Sequence, residues 1–271
     1  MRRAEPDREP LLSIVIPAFN EEDSIQRGVL QRLADYLAGQ GFSCEVLVAD
    51  DGSEDGSAQL VERFAQDHAS FRLLREEHRG KAAAVRAGIL AAAGRYHLFM
   101  DMDLATSLEH IPEFLQELQR GTDVVIASRA KKGAVTIGAP ASRFILGKGF
   151  NFLVQALLLP GIQDTQCGFK AFRAEVAREL FDSLLVFDES AGRVRGPRVT
   201  AFDVELLVLA ARRRYSMTEV PVRWQYYKTR RVSPLKDAYR MFREVLHVWI
   251  NDRRGKYRLA AAGVTHPDRM A

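Results

Sequence analysis

The stretch YHLFMDMDLATS, residues 96–107, joins an apolar run to two aspartates, and it decides how the rest of the chain is interpreted. The run ends in Asp101 and Asp103, which are separated by one residue. In a β-strand, side chains two residues apart point to the same face, so both carboxylates would meet one target. Adjacent carboxylates repel each other unless a cation or a proton lies between them. The motif therefore predicts a site for a hard divalent cation that holds a diphosphate.

A simpler interpretation of the same stretch is a strand that ends in a solvated turn. Thr106 and Glu109 would then form a capping box for the helix that follows. The ends of the other strands decide between the two interpretations, because a ligand site needs polar residues from several strands and a turn needs none.

Strands and helices alternate through the first half of the chain. Apolar runs predict the strands, and apolar residues at helical spacing predict the helices between them. We expect strands at 11–19, 44–51, 71–76, 96–101 and 123–128, and helices at 21–37, 55–68, 80–93 and 107–119. This alternation predicts an α/β fold with a Rossmann-like, mostly parallel sheet and helices on both faces. Ligands bind such sheets at the carboxyl ends of the strands.

Each predicted strand runs into polar, charged or glycine-containing residues. In chain order these segments are PAFNEE, ADDGSEDGS, EEHRGK, DMD and ASRAKK. One such ending is an ordinary loop, but five on one edge of a sheet indicate a binding site. The cation site is therefore favoured over the solvated turn at Asp101 and Asp103.

The composition is that of a globular protein with a sizeable core. The chain has 271 residues, 47% of them hydrophobic and 27% charged, and a net charge of +4. This mild positive charge suits a phosphate-bearing ligand, and the basic residues lack the interleaved aromatic platform expected of a nucleic-acid binder. Cys44 and Cys167 form no CxxC pair and are expected to be reduced thiols in a cytosolic setting. No apolar run reaches the length that a transmembrane helix needs.

The motifs SIVIPAFNEE, VLVADDGSEDGS, HRGKAAAVRAG and DMDLATS resemble the nucleotide-sugar half of inverting family 2 glycosyltransferases with the GT-A fold. Further along, DTQCGFKAFR and AFDVELL resemble the dolichyl-phosphate β-glucosyltransferase group, with the dolichyl-phosphate mannose synthases as close relatives. Two segments depart from the family pattern. HRGK replaces the commoner Asn-x-Gly-Lys, and Tyr226 and Arg231 stand where Glu and Lys are usual.

The resemblance implies a GT-A catalytic domain over residues 11–232, with a donor half at about 11–105 and an acceptor half at about 106–232. Residues 1–10 are expected to be a flexible tail, and 233–271 an amphipathic basic helix and tail. The implied activity is transfer of a hexose, glucose from UDP-glucose, to a polyprenyl or dolichyl phosphate with Mg²⁺ or Mn²⁺. GDP-mannose as donor, a soluble acceptor, and a non-catalytic module that binds a nucleotide sugar or a lipid phosphate stay open as alternatives.

The donor side of the site is expected to come from the first four motifs. Asp103 is the expected metal ligand, and Asp101 is expected to hold the ribose or to complete the metal shell. The residues expected to bind the donor are Pro17, Ala18, Asn20, Glu21, Asp51, Lys81, Asp101 and Met102. Asn20 also fits a helix cap, and DDGSEDGS also fits a turn followed by a cap.

The acceptor side is expected to be basic. Arg129, Arg143 and Arg231 are candidates for the acceptor phosphate, because guanidinium groups bind phosphate with two hydrogen bonds. The alternative for Arg129 and Arg143 is an ordinary surface charge. Residues that resemble the family's sugar-side wall are Gln166, Gly168 and Lys170.

Asp203 matches the catalytic or sugar-binding carboxylate of the family. A phosphate monoester is already anionic near neutral pH, so it hardly needs a general base. Asp203 is therefore expected to orient the sugar hydroxyls or the acceptor rather than to remove a proton. The alternative is a helix cap.

The C-terminal segment predicts one amphipathic helix. Its apolar stripe comprises Leu235, Ala238, Tyr239, Phe242, Val245, Leu246, Trp249 and Ile250. Many basic residues flank this stripe, so the helix suits peripheral contact with the cytoplasmic face of a membrane. The alternative is a helix that packs on the protein core.

Overall fold

The computed structural model describes residues 9–187, 196, 200–227 and 234–258, without the side chains of 141–146 and 234–237. The strands in these ranges are β1 (Leu12–Ala18), β2 (Cys44–Asp50), β3 (Phe71–Arg75), β4 (Tyr96–Met100), β5 (Val124–Ser128), β6 (Val135–Ile137), β7 (Phe169–Arg173), β8 (Met217–Pro221) and β9 (Arg223–Gln225). The helices are α1 (Glu22–Gln26), α2 (Val29–Ala38), α3 (Ser57–Asp67), α4 (Lys81–Ala91), α5 (Ile111–Gln119), α6 (Ala141–Leu157), α7 (Ala174–Asp182), α8 (Phe202–Arg212) and α9 (Pro234–Arg253), and a 3-10 helix covers Leu108–His110.

Seven strands form one sheet in the order β3-β2-β1-β4-β7-β5-β8, and β6 pairs with β9 in a separate parallel sheet. Strand β7 runs antiparallel to both of its neighbours, whereas the other pairs in the large sheet are parallel. The expected mostly parallel sheet is confirmed. The carboxyl ends of the parallel strands and the amino end of β7 share one edge of the sheet, which we call the rim.

Helices cover both faces of the sheet, as expected. Along β1, Ile14 and Ile16 join the core beneath α2, α3 and α5, whereas Val15 joins the core beneath α4, α7 and α8. This alternation follows from the two-residue period of a strand that is buried on both faces.

One local prediction and one of the alternatives are wrong. The helix expected at 21–37 is divided into α1 and α2, because Gly28 adopts a left-handed conformation with φ of 81° between them. The capping box is not formed: Thr106 makes a β-bridge with Trp224, and Ser107 precedes the 3-10 helix without a side-chain capping bond.

Helix α9 packs on the protein core with one side and exposes apolar residues on another, and its contact with a membrane stays a prediction. Val245 and Val248 are buried in the core. Tyr239, Phe242 and Leu246 lie on the outer side with exposed fractions of 67%, 47% and 39%. None of the helices in the described ranges combines the length and the apolar character needed to cross a bilayer.

His97 should make the protein sensitive to acid. It is fully buried on β4, and burial together with the charge of Arg178 lowers its pKa to about 4. The unfolded chain, whose histidine pKa is about 6.5, therefore gains a proton before the folded chain does. The stability that His97 contributes is complete above about pH 6.5 and falls by about 3 kcal/mol as the pH drops toward 4.

Urea unfolding between pH 7 and pH 4.5 measures this effect. In His97→Gln the unfolding free energy should fall less steeply as the pH drops, because the titrating imidazole is absent. The carboxylates that also titrate in this range are common to both proteins, so the difference between them reports His97. Equal slopes for the wild type and the variant would contradict the assignment.

Candidate active site

The loops after β1 and β2 are fastened to each other at the rim. Pro17 and Ala18 are the last residues of β1, and the chain then turns through Asn20, whose φ is 52°. The Asn20 Oδ1 accepts the Glu54 N–H at 2.8 Å, and the Ser53 Oγ accepts the Asn20 N–H at 2.9 Å. Asn20 therefore joins the two loops rather than capping α1.

Glu21 occupies the N-cap position of α1, although its side chain makes no capping bond to the backbone. Its Oε2 accepts the Ser24 hydroxyl, and its backbone N–H donates to Ser57 Oγ at 2.7 Å. Glu21 thus contributes to the same junction between the first two loops.

Asp51 is buried and organises the loop that precedes α4. Its carboxylate accepts hydrogen bonds from the backbone N–H groups of Arg79 and Gly80 and lies 2.8 Å from His78 Nδ1. Burial raises the pKa of Asp51 above its ordinary value, and these hydrogen bonds offset part of that rise. The expected role of Asp51 at the base or ribose remains a prediction, because the structure describes only its contacts within the protein.

Phe19 and His78 form a flat aromatic pair that the sequence analysis missed. Their ring centroids are 3.9 Å apart and the planes differ by 3°. The signal was present in HRGK, where a histidine replaces the asparagine that is common in the family. The histidine ring can stack on a phenylalanine while its Nδ1 bonds to Asp51, which an asparagine side chain cannot do.

Asp101 and Asp103 lie in the turn after β4, since the strand ends at Met100. They are close enough for their charges to interact, although a turn rather than strand alternation brings them together. Burial and then the charge of Asp101 raise the pKa of Asp103 to about 6. Met102 lies between them with its side chain in the core, and its expected contact with the donor stays a prediction.

Lys81 is the first residue of α4, and its ammonium group lies 2.5 Å from Asp101 Oδ1. Burial alone would lower the pKa of Lys81, but the charges of Asp101, Asp203 and Asp103 outweigh burial and raise it. One lysine therefore faces three carboxylates at the centre of the rim.

The loop before β7 reaches the rim because β7 is antiparallel. Gly168 O accepts the Asp101 N–H at 3.1 Å, and a Cβ at Gly168 would come within 2.2 Å of Asp101 Oδ2. Only glycine permits this close approach. Gln166 lies in the same loop, and its Nε2 is buried with no hydrogen-bond partner in the described part of the chain.

Lys170 and Asp203 form a buried ion pair beneath the rim. Lys170 is fully buried, and its Nζ lies 2.5 Å from Asp203 Oδ1 and 2.6 Å from Cys167 O. Lys170 was expected on the sugar-side wall and instead lies below the surface. Asp203 is in the first turn of α8, where Ala201 is the N-cap, so the helix-cap alternative is also wrong.

Arg129 is paired within the protein. Its Nε and Nη2 donate to Asp164 at 2.7 and 2.9 Å, and its guanidinium lies 5.3 Å from the Trp224 ring. Burial opposes the charged form of Arg129, but Asp164 outweighs it and raises the pKa of Arg129. Arg129 is a half-buried, paired charge, and a phosphate bound here would share Arg129 with Asp164. The side chain of Arg143, in the first turn of α6, and all of Arg231 lie outside the described residues.

The rim can attract a cation and a phosphate at neighbouring points. Asp101 and Asp103 present carboxylate oxygens of the kind that Mg²⁺ and Mn²⁺ prefer, and Lys81 adds a positive charge beside them. Among the residues described, His, Cys, Asp and Glu side chains form no cluster of three or more that could hold a metal. Two aspartates therefore leave further coordination positions for ligand oxygens, such as those of a diphosphate.

Fold and site together define a nucleotide-sugar transferase of the GT-A type, and the chain belongs to glycosyl transferase family 2, whose sequence model matches residues 13–181. The chain is 36% identical to the dolichyl-phosphate β-glucosyltransferase of Drosophila melanogaster over 264 residues, which are 92% of this chain and 78% of the relative. It is 32% identical to the human protein of the same name over 263 residues, with coverage of 92% and 78%. The family expected from the motifs is confirmed.

Two solved structures show the same fold. The glucosyl-3-phosphoglycerate synthase of Mycobacterium tuberculosis, solved with Mn²⁺, UDP and glucosyl-3-phosphoglycerate, has a TM-score of 0.61 at 21% identity, covering 91% of this chain and 80% of that one. A mannosyltransferase of Pyrobaculum calidifontis, solved with GDP-Man and Mn²⁺, has a TM-score of 0.56 at 19% identity, with coverage of 92% and 66%. These likenesses confirm the GT-A fold.

The buried ion pair should be essential for stability. Lys170→Met leaves the Asp203 carboxylate buried without its nearest partner, so we expect the unfolding free energy to fall by about 3–5 kcal/mol. Adding Asp203→Asn should restore a large part of that loss, because the unpaired charge is removed.

Urea unfolding at pH 7 tests this expectation, with Arg173→Met as the matched control. The Arg173–Glu175 pair is exposed, so its loss should cost less than about 1 kcal/mol. Similar losses for Lys170→Met and Arg173→Met would show that the buried pair has no special weight.

Proposed function

We propose that this chain transfers a hexose, glucose from UDP-glucose, to the phosphate of a polyprenyl lipid such as dolichyl phosphate. The observation that carries the proposal is the convergence of Asp101, Asp103 and Lys81 on one point of the rim, beside the buried Lys170–Asp203 pair. The names of the relatives support the glucosyl donor and the lipid acceptor.

Asp103 and Asp101 would hold a divalent cation, Mg²⁺ or Mn²⁺. The site suits such an ion because burial and then the charge of Asp101 raise the pKa of Asp103, so a cation would stabilise its charged form, and because Gly168 permits the close approach of Asp101. A bound cation would neutralise the diphosphate of the donor and the charge that develops on it during transfer.

The residues of the chain act mainly by position and charge. An oxygen of the acceptor phosphate attacks the anomeric carbon of the sugar, while the bond to the donor diphosphate breaks and its electrons pass to the leaving group. The ammonium group of Lys81, next to Asp101, would stabilise the negative charge that develops on the leaving diphosphate. Asp203, held by Lys170, orients the sugar or the acceptor, since the anionic phosphate needs no general base.

The acceptor phosphate is expected near Arg129 and the start of α6, where Arg143 lies. The exposed residues Tyr239, Phe242 and Leu246 of α9 support peripheral contact with a bilayer, because aromatic and aliphatic side chains partition into its interface. The cytoplasmic face remains the predicted location.

Asp103→Asn should remove metal binding without unfolding the protein. Asparagine keeps the size of the side chain and removes a charge that burial and Asp101 disfavour, so the metal-free Tm should stay unchanged or rise slightly. The rise in Tm that Mn²⁺ produces in the wild type should be lost, together with transfer activity.

Thermal unfolding with and without Mn²⁺ measures this effect, and Asp67→Asn serves as a control at an exposed aspartate on α3. If Mn²⁺ stabilises Asp103→Asn as strongly as it stabilises the wild type, Asp103 is not a metal ligand.

The function itself is tested with purified protein, Mn²⁺ or Mg²⁺, a short-chain polyprenyl phosphate and radiolabelled sugar nucleotides. Label from UDP-glucose should appear in the organic phase. Label from GDP-mannose instead would make the chain a mannosyltransferase with the same acceptor. No organic label from any donor, with nucleotide binding intact, would favour a soluble acceptor or a binding module.

A further inference from the structure

A basic pocket lies on the side of the sheet opposite the rim. Its volume is about 340 Å³, and its lining residues are Leu157, Arg212, Asp252, Arg253, Gly255 and Arg258. Helices α6, α8 and α9 end at Leu157, Arg212 and Arg253, so three helix C-termini meet here. Helix α8 leads into the start of β8, whose other end is at the rim, and this places the pocket at the far edge.

Two of the three arginines are available to a ligand. Arg212 is engaged by Asp252 through two hydrogen bonds of 2.7 Å. Arg253 and Arg258 are exposed, and neither makes an ion pair with a carboxylate in the described ranges. Arg253 lies 5.3 Å from the Trp249 ring, which limits its orientation. The pocket therefore carries an excess of positive charge in guanidinium groups, which match the geometry of phosphate.

The usual attraction of arginine to helix C-termini explains only part of this arrangement. Arg258 lies beyond the end of α9, and the chain returns it to the pocket through a turn at Gly255, whose φ is 72°. Tyr257 fixes that turn, because its ring is buried and its hydroxyl donates to Glu205 at 2.7 Å. The second free arginine is thus held in place by a buried anchor.

Exposed apolar residues lie on both α6 and α9, the two helices that end at the pocket on either side of α8. On α9, Tyr239, Leu246 and Arg253 follow one another at intervals of seven residues, which is about two helical turns. The three residues therefore lie on one side of the helix. On α6, Phe152 and Leu157 are exposed by 75% and 39%. Helix α6 follows β6 and α9 follows β9 in the chain, and these two strands pair with each other. Both helices end at the pocket, so the pocket lies about one helix length, roughly 25–30 Å, from their first turns.

We propose that this pocket binds the phosphate group of an anionic membrane lipid and forms a second point of contact with the bilayer. The preference for phosphate follows from the arginines alone. The choice of a lipid rests on the proposed function, because a lipid acceptor bound near the first turn of α6 would bring the exposed apolar residues of α6 and α9 toward the membrane surface. The acceptor site would then be at one end of these helices and the pocket at the other.

The test uses the full chain and the double variant Arg253→Gln/Arg258→Gln. Partition is measured by sedimentation with vesicles of phosphatidylcholine alone and with phosphatidylcholine and phosphatidylglycerol in a two-to-one ratio. Each basic residue near an anionic surface contributes about fivefold to partition, so the double variant should lose about 25-fold of the preference for anionic vesicles. The control, Arg32→Gln/Arg63→Gln, removes the same charge from exposed positions on α2 and α3 and should lose less than about threefold.

Equal losses in the two double variants would overturn the proposal in favour of general charge attraction, and no loss in either would show that the pocket does not bind a lipid. A second arm adds inorganic phosphate without lipid and records the Tm. If phosphate stabilises the wild type but not Arg253→Gln/Arg258→Gln, while vesicle partition is the same for both, the ligand is a soluble phosphate and the lipid source is wrong.

Transfer to a short-chain polyprenyl phosphate without vesicles separates this proposal from the proposed function. The double variant should keep the wild-type rate there, since its substitutions are at the far edge. If the wild type transfers sugar to no lipid phosphate but the difference in vesicle partition is observed, the proposed function fails and the lipid pocket stands.

Discussion

The organisation of the rim depends on one buried ion pair. Lys170 comes from β7 and Asp203 from α8, and both are removed from water at a point where no bulk solvent can screen them. A buried charge is tolerated only when a partner of opposite charge is held close, so these two elements must dock together for either residue to be stable. With Lys170 paired to Asp203, Lys81 pairs with Asp101 and its charge also acts on Asp103. The buried Lys170–Asp203 pair therefore determines which charges are left at the rim above it.

Much of this arrangement can be predicted from the sequence. The apolar runs and their polar endings define β1 to β5, and they locate the rim because parallel strands deliver their carboxyl ends to one edge. The direction of β7 could not be predicted, because FKAFR is equally apolar whichever way it runs. Only its neighbours decide the direction, and the same contacts place Gly168 against Asp101.

The contacts that the sequence did not predict share a physical origin in competition between neighbouring groups. The Met102 side chain packs in the core, and the buried Asp51 carboxylate accepts hydrogen bonds from the backbone N–H groups of Arg79 and Gly80 in place of water. Helix α9 was expected to face either the core or the membrane, and it buries Val245 and Val248 while Tyr239 and Phe242 are exposed. Local sequence patterns single out these residues, but the groups that they contact come from distant parts of the chain and cannot be predicted from those patterns.

The insertion of β7 between β4 and β5 has a consequence for the order of folding. Strands β4 and β5 are consecutive in the sequence, but the sheet requires a gap between them until β7 arrives from much later in the chain. During synthesis the first strands can pair as they emerge, whereas β5 has no native neighbour until residue 173 has left the ribosome. Direct pairing of β5 with β4 would have to be undone before the sheet could close. Closure of the sheet is thus a late, long-range step, and it is expected to limit the rate at which the chain becomes native.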